Sequence, residues 1–270
     1  MKTLVWGDVH TRVNLLKSFL TTNGDKFEKR IFLGDWFDNW NDSPDQNKRT
    51  AEYLVELMQD PRNLFCEGNH DASYRFCNHA SVCSGFTWDK HRFISSVMTE
   101  DQWSRFKLFH VDQGVVCSHA GMHGSVVMHP LAGFDLDRIE AEAGVAELWM
   151  KVNRVHPYYE SGRSSGGHGL YGGLTWLRWW DFEPIEGVNQ IVGHTIVEKP
   201  EVRYLRKKVS RHQGKILEKV EDVRVTYEHY VGMPPKKKLS SINYNIDTNN
   251  RYFAVIENGE VSIELTLDYL

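Results

Sequence analysis

The sequence predicts an α/β fold, in which short buried strands alternate with helices. Five apolar runs, at residues 3–6, 31–33, 64–66, 115–117 and 190–192, each lead to a small or polar residue and have the length of buried strands. Apolar residues recur at helical spacing between several of these runs. The chain has 270 residues, of which 41% are hydrophobic, so it is long enough to bury a sizeable core.

Three segments have the apolar spacing of amphipathic helices. They are residues 12–20, 46–59 and 137–152, and Pro61 closes the second of them. Near the end of the sequence, residues 244–247, 252–257 and 261–267 are predicted to be strands. Asn258-Gly259, between the last two, is typical of a hairpin turn.

The charge balance excludes two broad classes of protein. The chain has 32 basic and 36 acidic residues and a formal net charge of −4, so it is neither a basic nucleic-acid coat protein nor a disordered acidic tail. The apolar run at residues 1–7 is too short for a signal peptide, and no run approaches the roughly 18 apolar residues of a membrane-spanning helix. The four cysteines form no CxxC pair, so we expect reduced thiols, a cytoplasmic location and no membrane partner.

Each of the five predicted strands leads to a side chain that can bind a metal ion. Because ligand-binding groups in α/β sheets lie just beyond the carboxyl ends of the strands, we expect these side chains to meet in one place. The candidates, in chain order, are Asp8 with His10, then Asp35, Asn69, His119 and His194. A mixed carboxylate, imidazole and amide set favours Mn²⁺, Fe or Zn²⁺ over Ca²⁺ or Mg²⁺. Two such ions, about 3.5–4 Å apart, would clamp a phosphoryl group and lower the pKa of a bridging water.

The same residues lie in five short motifs that follow one another along the chain. The motifs are Gly7-Asp8-Val9-His10, Gly34-Asp35-Trp36-Phe37-Asp38, Gly68-Asn69-His70-Asp71, Ser118-His119-Ala120-Gly121 and Gly193-His194-Thr195. In this order they resemble the motifs of the calcineurin-like metallophosphoesterase superfamily. The resemblance extends from Gly7 to about Asp247. It implies a single domain at residues 1–270, built as a four-layered α/β/β/α sandwich with a dinuclear metal site at the carboxyl ends of the strands.

The resemblance also implies a role for each motif residue. The first ion would be held by Asp8, His10 and Asp35, and the second by Asp35, Asn69, His119 and His194. His70 would face the substrate and protonate the leaving oxygen, and Asp38 would pair with His70 and keep it protonated. The nucleophile would be a metal-bridging hydroxide, with no covalent enzyme intermediate. We expect two divalent ions, with Mn²⁺ as the first choice and Fe or Zn²⁺ as alternatives.

Residues around the last motif indicate a branch of the superfamily. Ile196 stands where the nuclease and cyclic-nucleotide phosphodiesterase branches carry a second His. Ile246-Asp247-Thr248 is similar to a segment of bacterial and phage serine/threonine protein phosphatases and of symmetrical dinucleoside tetraphosphatases. One departure is Asn39-Trp40, where these phosphatases have Arg-Gly after the motif Asp. The missing Arg would bind the substrate phosphate through two parallel hydrogen bonds, and Arg178 or Arg163 is predicted to replace it.

Two segments are predicted to be insertions. Residues 153–181 form a loop insertion, of which residues 156–173 are rich in Gly, Ser, Tyr and His and are expected at the surface. Residues 203–243 form a basic insertion. Its part 203–219 contains seven Lys and Arg residues against one Glu, and a further loop at 234–238 has the sequence PPKKK. A basic segment can follow a nucleic-acid phosphate backbone, but a solvated hairpin or helix face is its commoner meaning.

These observations favour a dinuclear metal-dependent phosphoesterase. Its phosphorylated substrate would be a phosphomonoester, in a phosphoserine or phosphothreonine protein or in a small metabolite. The first alternative is cleavage of a phosphoanhydride in a dinucleoside polyphosphate by the same centre. A nucleic-acid phosphodiesterase is a further alternative, motivated by the basic segment at 203–219 and weakened by Ile196. A binding module on this scaffold is disfavoured, because the complete ligand set is present.

Overall fold

Twelve strands in two sheets form the centre of the part of the chain that the structure describes. The computed structural model describes residues 1–79, 81–212, 215–233 and 239–270. The strands are β1 Lys2–Trp6, β2 Lys29–Phe32, β3 Asn63–Cys66, β4 Phe106–Lys107, β5 Phe109–Asp112, β6 Val115–Ser118, β7 Asn189–Val192, β8 Glu201–His212, β9 Lys215–Thr226, β10 Leu239–Asn245, β11 Tyr252–Glu257 and β12 Glu260–Leu265.

Helices flank the strands along the chain. They are α1 Val13–Asn23, α2 Pro44–Leu57, α3 Asn69–Phe76, α4 Trp88–Ser95, α5 Glu100–Trp103, α6 Gly124–Val127, α7 Leu136–Lys151 and α8 Tyr227–Val231. Short 3-10 helices lie at Gly24–Lys26, Arg163–Ser165 and Thr266–Tyr269. Within the described ranges, no helix combines the length and the apolar character needed to cross a membrane.

The strands that precede the predicted ligands are parallel to their neighbours. The first sheet has the order β12-β11-β1-β2-β3-β4, with β1 to β4 parallel and β11 antiparallel to β1. The second has the order β5-β6-β7-β10-β8-β9, with β6, β7 and β10 parallel. The carboxyl ends of β1, β2 and β3 therefore lie at one edge of the first sheet, and those of β6 and β7 at one edge of the second.

Side chains that alternate along β1 indicate how the first sheet is covered. Leu4 and Trp6 belong to a cluster that contains Phe19 of α1, and the ring centroids of Trp6 and Phe19 are 4.9 Å apart. Val5, between them, belongs instead to a cluster that contains Ile191 of β7. Because neighbouring residues of a strand point to opposite faces, helices cover one face of the first sheet and the second sheet covers the other.

The same alternation along β6 completes the layers. Cys117 belongs to the cluster between the two sheets. Its neighbour Val116 packs on the outer side, in a cluster with Ile139 and Met150 of α7. The layers therefore run helix, sheet, sheet, helix, and the predicted α/β/β/α sandwich is confirmed.

Polar side chains of β5 join the second sheet to the first. Asp112 is 3% exposed and accepts hydrogen bonds from the Thr3 hydroxyl at 2.8 Å and the Lys29 ammonium at 2.7 Å. His110, on the same strand, donates from Nε2 to the carbonyl oxygen of Phe65 at 3.1 Å. Strands β1, β2 and β3 are thus tied to β5 by directed bonds in addition to the apolar core between the sheets.

The predicted elements are present with shifted ends. All five apolar runs fall in strands, and the three helical segments correspond to α1, α2 and α7. The strand predicted at 261–267 ends at Leu265, where the backbone tightens into a 3-10 helix. Asn258 and Gly259 have φ angles of 54° and 79°, as the predicted hairpin turn requires.

The two predicted insertions differ in structure. Residues 153–181 contain the 3-10 helix Arg163–Ser165, yet Tyr158 and Tyr159 of this segment are buried in the cluster around α7, so it is not a purely surface loop. Residues 203–243 include most of the β8–β9 hairpin together with α8 and the start of β10, and so they extend the second sheet. The PPKKK loop at 234–238 lies outside the described residues. The side chains of residues 208–218 are also outside the description, and these include the basic residues Lys208, Arg211 and Lys215. The assignment of one domain with two insertions stays a prediction.

We expect His110 to make the stability of the fold depend on pH. Burial lowers the pKa of His110 to about 4, whereas an unfolded His titrates near 6.5. Between these two pH values the unfolded chain binds the extra proton and the folded chain does not. The contribution of His110 to the free energy of unfolding is therefore fully present above about pH 6.5 and is lost as the pH falls toward 4. The contribution is at most about 3 kcal/mol. The measurement is the free energy of urea unfolding at pH 7 and pH 5, in the presence of a chelator.

The matched variant is His110→Gln, whose amide can still donate to Phe65 but does not titrate. It should lose less stability than the original chain between the two pH values. Equal losses would show that His110 is not the group responsible.

Candidate metal centre

Loops that follow β1, β2, β3, β6 and β7 bring the predicted ligands together. Ligand atoms of Asp35, His119 and His194 lie within 4.8 Å of one another, and the same is true of Asp8, His10 and Asp35. Asp35 belongs to both groups. Two adjoining groups that share one carboxylate are the arrangement expected for a pair of metal ions with a bridging ligand.

The distances within each group suit a metal ion. His119 Nε2 lies 3.1 Å from Asn69 Oδ1, 3.1 Å from His194 Nδ1 and 3.4 Å from Asp35 Oδ2. His10 Nε2 lies 3.8 Å from Asp35 Oδ2 and 3.9 Å from an oxygen of Asp8. Ligands bonded to one ion at about 2 Å are themselves separated by about 3–4 Å. Asn69 therefore joins the group of Asp35, His119 and His194.

Backbone carbonyl groups fix the tautomers of two of the histidines. His10 Nδ1 lies 2.6 Å from the carbonyl oxygen of Asp38, and His119 Nδ1 lies 3.0 Å from that of Leu33. Because a carbonyl oxygen only accepts, Nδ1 carries the hydrogen in both rings and Nε2 keeps its lone pair. In both residues Nε2 is the nitrogen that faces the cluster, so each ring is prepared to bind a cation.

The ring of His194 presents Nδ1 to the same group. Nδ1 lies 3.1 Å from His119 Nε2, which keeps its lone pair, and a cation beside both nitrogens would give each of them a partner. The carboxylate, amide and imidazole donors present therefore fit two bound ions.

The charges of the cluster also favour the binding of cations. Burial, together with the carboxylates of Asp247 and Asp35, raises the pKa of Asp8 well above its usual range. Burial and the neighbouring His119 and Arg178 hold the pKa of His194 well below its ordinary value, so its ring is neutral. Burial acts to raise the pKa of Asp35, but nearby histidines outweigh it and lower this pKa. Crowded carboxylates with neutral imidazoles form a site that divalent ions stabilise.

Two motif glycines leave room for the ligands. A Cβ atom on Gly193 would lie 2.1 Å from Asp8 Oδ1, and one on Gly68 would lie 2.2 Å from Asp35 Oδ1. No side chain fits at such distances, so the backbone itself lies against both carboxylates. Asp35 and His194 have φ angles of 48° and 63°, in the left-handed region that costs non-glycine residues energy. Strained backbone is thus found at two of the ligands.

Asp71 holds the backbone of two of these loops. Its carboxylate accepts hydrogen bonds from the N–H groups of Asp35 at 2.7 Å, Trp36 at 2.9 Å and Gly68 at 2.9 Å. Asp71 is fully buried, and burial together with Asp35 raises its pKa to about 8, while the N–H groups of Gly68 and Trp36 act in the opposite direction. Asp71 thereby joins the loop after β2 to the loop after β3.

His70 and Asp38 form a pair beside the cluster. His70 Nδ1 lies 2.9 Å from Asp38 Oδ2, and the backbone N–H of His70 donates to Asp35 Oδ1 at 2.9 Å. Burial acts to lower the pKa of His70, but the carboxylates of Asp35 and Asp38 outweigh it and raise this pKa well above its ordinary value. The imidazole is therefore protonated at neutral pH and able to donate a proton.

The two candidate substrate-binding arginines differ in position. Arg178 is partly buried and donates from Nε to the Ser165 hydroxyl at 2.9 Å. Burial lowers the pKa of Arg178, and the carboxylates of Asp35 and Asp8 oppose this effect, so its guanidinium lies within electrostatic reach of the ligands. Arg163 begins the 3-10 helix that contains Ser165 and is exposed.

Three residues of this region were not predicted from the sequence to belong to the site. Asp247 is buried with one carboxylate oxygen unpartnered in the described chain, and burial raises its pKa to about 6. It follows β10 just as the ligands follow their strands, but the predicted strand at 244–247 included it. Tyr74 and Lys90 contact Asp38 from helices α3 and α4, and no strand-end pattern marks them.

Comparisons with known proteins give one match to a family and several distant structural likenesses. A family model of calcineurin-like phosphoesterases matches residues 1–198. No curated protein matches the chain.

A metallophosphoesterase from Sphaerobacter thermophilus is 11% identical, over 98% of this chain and 87% of that one, with a TM-score of 0.44. A candidate diadenosine tetraphosphatase is 14% identical over 98% of this chain and 93% of that one, with a TM-score of 0.41. A protein serine/threonine phosphatase from Saccharomyces cerevisiae is 11% identical over 98% of this chain and 79% of that one, with a TM-score of 0.47. Likeness at these values assigns no substrate.

We expect Asp71→Asn to disturb both stability and metal binding. The new amide nitrogen would face a backbone N–H that now has an acceptor, so stability should fall by about 1–3 kcal/mol. Because the Asp35 loop would also shift, the affinity for Mn²⁺ should fall about 10–100-fold. Urea unfolding and calorimetric titration with Mn²⁺ measure the two effects.

Asp135→Asn is the matched control, since Asp135 also accepts two backbone N–H bonds, at 3.0 and 3.2 Å, but at the start of α7. Asn is an equally good cap there, so both quantities should stay unchanged. Unchanged Mn²⁺ affinity in Asp71→Asn would contradict the role given to Asp71.

Proposed function

The chain belongs to the calcineurin-like phosphoesterase family, whose members hydrolyse phosphoesters with two metal ions, and we propose that this enzyme acts on phosphomonoesters of proteins or small metabolites. The observation that supports a hydrolytic metal centre most directly is the Asp35 carboxylate, which belongs to both groups of ligands. One carboxylate between two ligand groups suits a reaction in which two ions act on a single phosphoryl group.

We assign six residues to the metal ions. They are Asp8, His10 and Asp35 for the first ion, and Asp35, Asn69, His119 and His194 for the second. This set of donors suits Mn²⁺, with Fe and Zn²⁺ as alternatives. When bound, two such ions polarise the phosphoryl oxygens and activate a water molecule for attack on phosphorus.

The proton required by the leaving oxygen is assigned to His70. Asp38 occupies Nδ1 of the ring, so Nε2 is the nitrogen left to donate. The raised pKa of His70 keeps the ring protonated at neutral pH, and the same positive charge favours a negatively charged phosphoryl group.

Arg178 is proposed to bind a phosphoryl oxygen in place of the Arg that is missing after Asp38. It is partly buried and within electrostatic reach of Asp35 and Asp8, whereas Arg163 is exposed. A phosphomonoester carries more negative charge than a diester, so a site with His70 and Arg178 beside the ions favours the monoester. Ile196 offers no further ligand after the last motif.

The nucleic-acid alternative rests on the basic segment at 203–219, and the ion pairs of the β8–β9 hairpin weaken it. Arg203 pairs with Asp222, and Arg206 pairs with Glu221 at 2.8 Å. These arginines are neutralised within the hairpin and are poorly placed to hold a phosphate backbone. Cleavage of a dinucleoside polyphosphate would use the same metal centre and stays the first alternative.

We also propose a cytoplasmic location. All four cysteines are free thiols, two of them buried and two partly buried. Free thiols persist in a reducing compartment, which is the basis of this proposal.

The metal assignment is tested by Asp35→Asn. Because this residue belongs to both ligand groups, the variant should bind fewer Mn²⁺ ions and hydrolyse p-nitrophenyl phosphate at least about 100-fold more slowly. Metal content after dialysis and the rate with saturating Mn²⁺ are the measurements. Asp25→Asn is the control, since the Asp25 side chain is 97% exposed. Unchanged metal content and rate in Asp35→Asn would overturn the assignment.

The substrate is tested by a parallel assay with Mn²⁺ on a phosphopeptide, a small phosphomonoester, diadenosine tetraphosphate and single-stranded DNA. We expect kcat/KM for one of the monoesters to exceed that for the other two substrates by about 10-fold or more. Preference for diadenosine tetraphosphate would replace the proposal by its first alternative. Preference for DNA would contradict it.

A further inference from the structure

Lys90 is a buried lysine that lies outside all five ligand loops. It is 6% exposed and lies in the first turn of α4. Its Nζ donates to Asp38 Oδ1 at 2.8 Å, to Asp42 Oδ1 at 2.6 Å and to the carbonyl oxygen of Gly85 at 2.9 Å. Each of the three ammonium hydrogens therefore has an acceptor, and the side chain is fixed in one position.

The bond from Lys90 completes the surroundings of Asp38. Asp38 Oδ2 faces His70 Nδ1 at 2.9 Å, while Oδ1 accepts from the Tyr74 hydroxyl at 2.6 Å as well as from Lys90. A Cβ atom on Gly85 would lie 2.8 Å from Asp38 Cγ, so the backbone at Gly85 closes over the carboxylate. Asp38 itself has a φ angle of 61°, a strained conformation that its surroundings must maintain.

Lys90 lies between two buried carboxylates. Its Nζ is 2.8 Å from an oxygen of Asp38 and 2.6 Å from an oxygen of Asp42. A buried carboxylate pair without a cation would repel and would be costly to desolvate. Together with Tyr74, Lys90 therefore holds the Asp38 carboxylate in the orientation in which it faces His70.

We propose that Lys90 is a positioning residue for proton donation by His70, acting through Asp38. This inference rests on the hydrolytic function proposed above. In the step concerned, a water oxygen forms a bond to phosphorus and the ester P–O bond breaks. The leaving oxygen takes the proton from His70 Nε2, and the proton released by the water restores the imidazolium. Lys90 Nζ is bonded to Asp38, Asp42 and Gly85, none of which is an assigned metal ligand, and through Asp38 it fixes the direction in which the His70 ring points.

Dependence on the leaving group distinguishes this role from a general structural one. A poor leaving group such as phenolate needs the proton, whereas 2,4-dinitrophenolate leaves readily without it. In Lys90→Met, kcat for phenyl phosphate should fall about 100-fold or more, and kcat for 2,4-dinitrophenyl phosphate should fall less than about 3-fold. Mn²⁺ content should be unchanged. A general loss of structure would lower both rates alike, and that result would overturn the proposal.

A double variant sharpens the test. If Lys90 acts through His70, then Lys90→Met should add nothing further to the leaving-group dependence of His70→Ala. A further loss confined to phenyl phosphate in the His70→Ala background would show that Lys90 acts by another route. The conservative variant Lys90→Arg retains the charge and the donors, so it should recover part of the rate for phenyl phosphate.

Lys29→Met is the matched control, because Lys29 also donates to a buried carboxylate, Asp112, but at the junction of the two sheets. It should lower stability and leave the ratio of the two rates unchanged.

If Lys90→Met does not fold, Asp42→Asn takes its place. This variant weakens the bond between residue 42 and Lys90, and it should give a smaller loss of rate that is again confined to phenyl phosphate. Equal losses on both esters would overturn the proposal there too. Absence of any aryl phosphatase activity in the original chain would contradict the proposed function instead, independently of Lys90.

Discussion

Three backbone N–H groups that converge on the buried Asp71 carboxylate fix the geometry on which the metal centre depends. They belong to Asp35, Trp36 and Gly68, and so the loops after β2 and β3 are joined close to the ends of the two strands. With its backbone held in this way, Asp35 can keep a left-handed conformation and direct its carboxylate into the cluster. Asn69 and His70 follow immediately on the other loop. A single buried side chain thus sets the relative positions of groups from both loops.

The site divides into two electrostatic zones that behave differently. The inner zone has crowded carboxylates and neutral imidazoles, as the raised pKa of Asp8 and the lowered pKa of His194 indicate. Bound cations would supply the positive charge that this zone lacks. The outer zone, formed by His70, Asp38, Lys90 and Asp42, is held together by short contacts among its own side chains. Removal of metal should therefore disturb the inner zone while the proton donor keeps its partners.

The sequence predicts the strands and the candidate ligands because both depend on local patterns, whereas the two-sheet sandwich was implied by the resemblance of the five motifs to a known family. A short apolar run followed by glycine and a polar residue marks a strand end, and parallel strands bring such ends together without knowledge of any contact. Lys90 could not be found in this way, because its partner Asp38 lies 52 residues earlier and no spacing connects them. Asp247 was hidden by an error of two residues in the end of β10. A charge count of the basic segment could not show that its residues 203–212 and 215–219 belong to the β8–β9 hairpin, which extends the second sheet.

The bond between the N–H of His194 and the Asp8 carboxylate joins residues 186 positions apart. Such a contact has a kinetic meaning, since closing a loop of that length comes late compared with the formation of helices and hairpins. During synthesis, the ligands of β1 to β3 emerge long before β7 and remain without their partners until it does. The set of metal ligands can therefore be completed only after nearly three quarters of the chain has been made. A chain interrupted earlier would expose the carboxylates of Asp8 and Asp35 without the last histidine ligand.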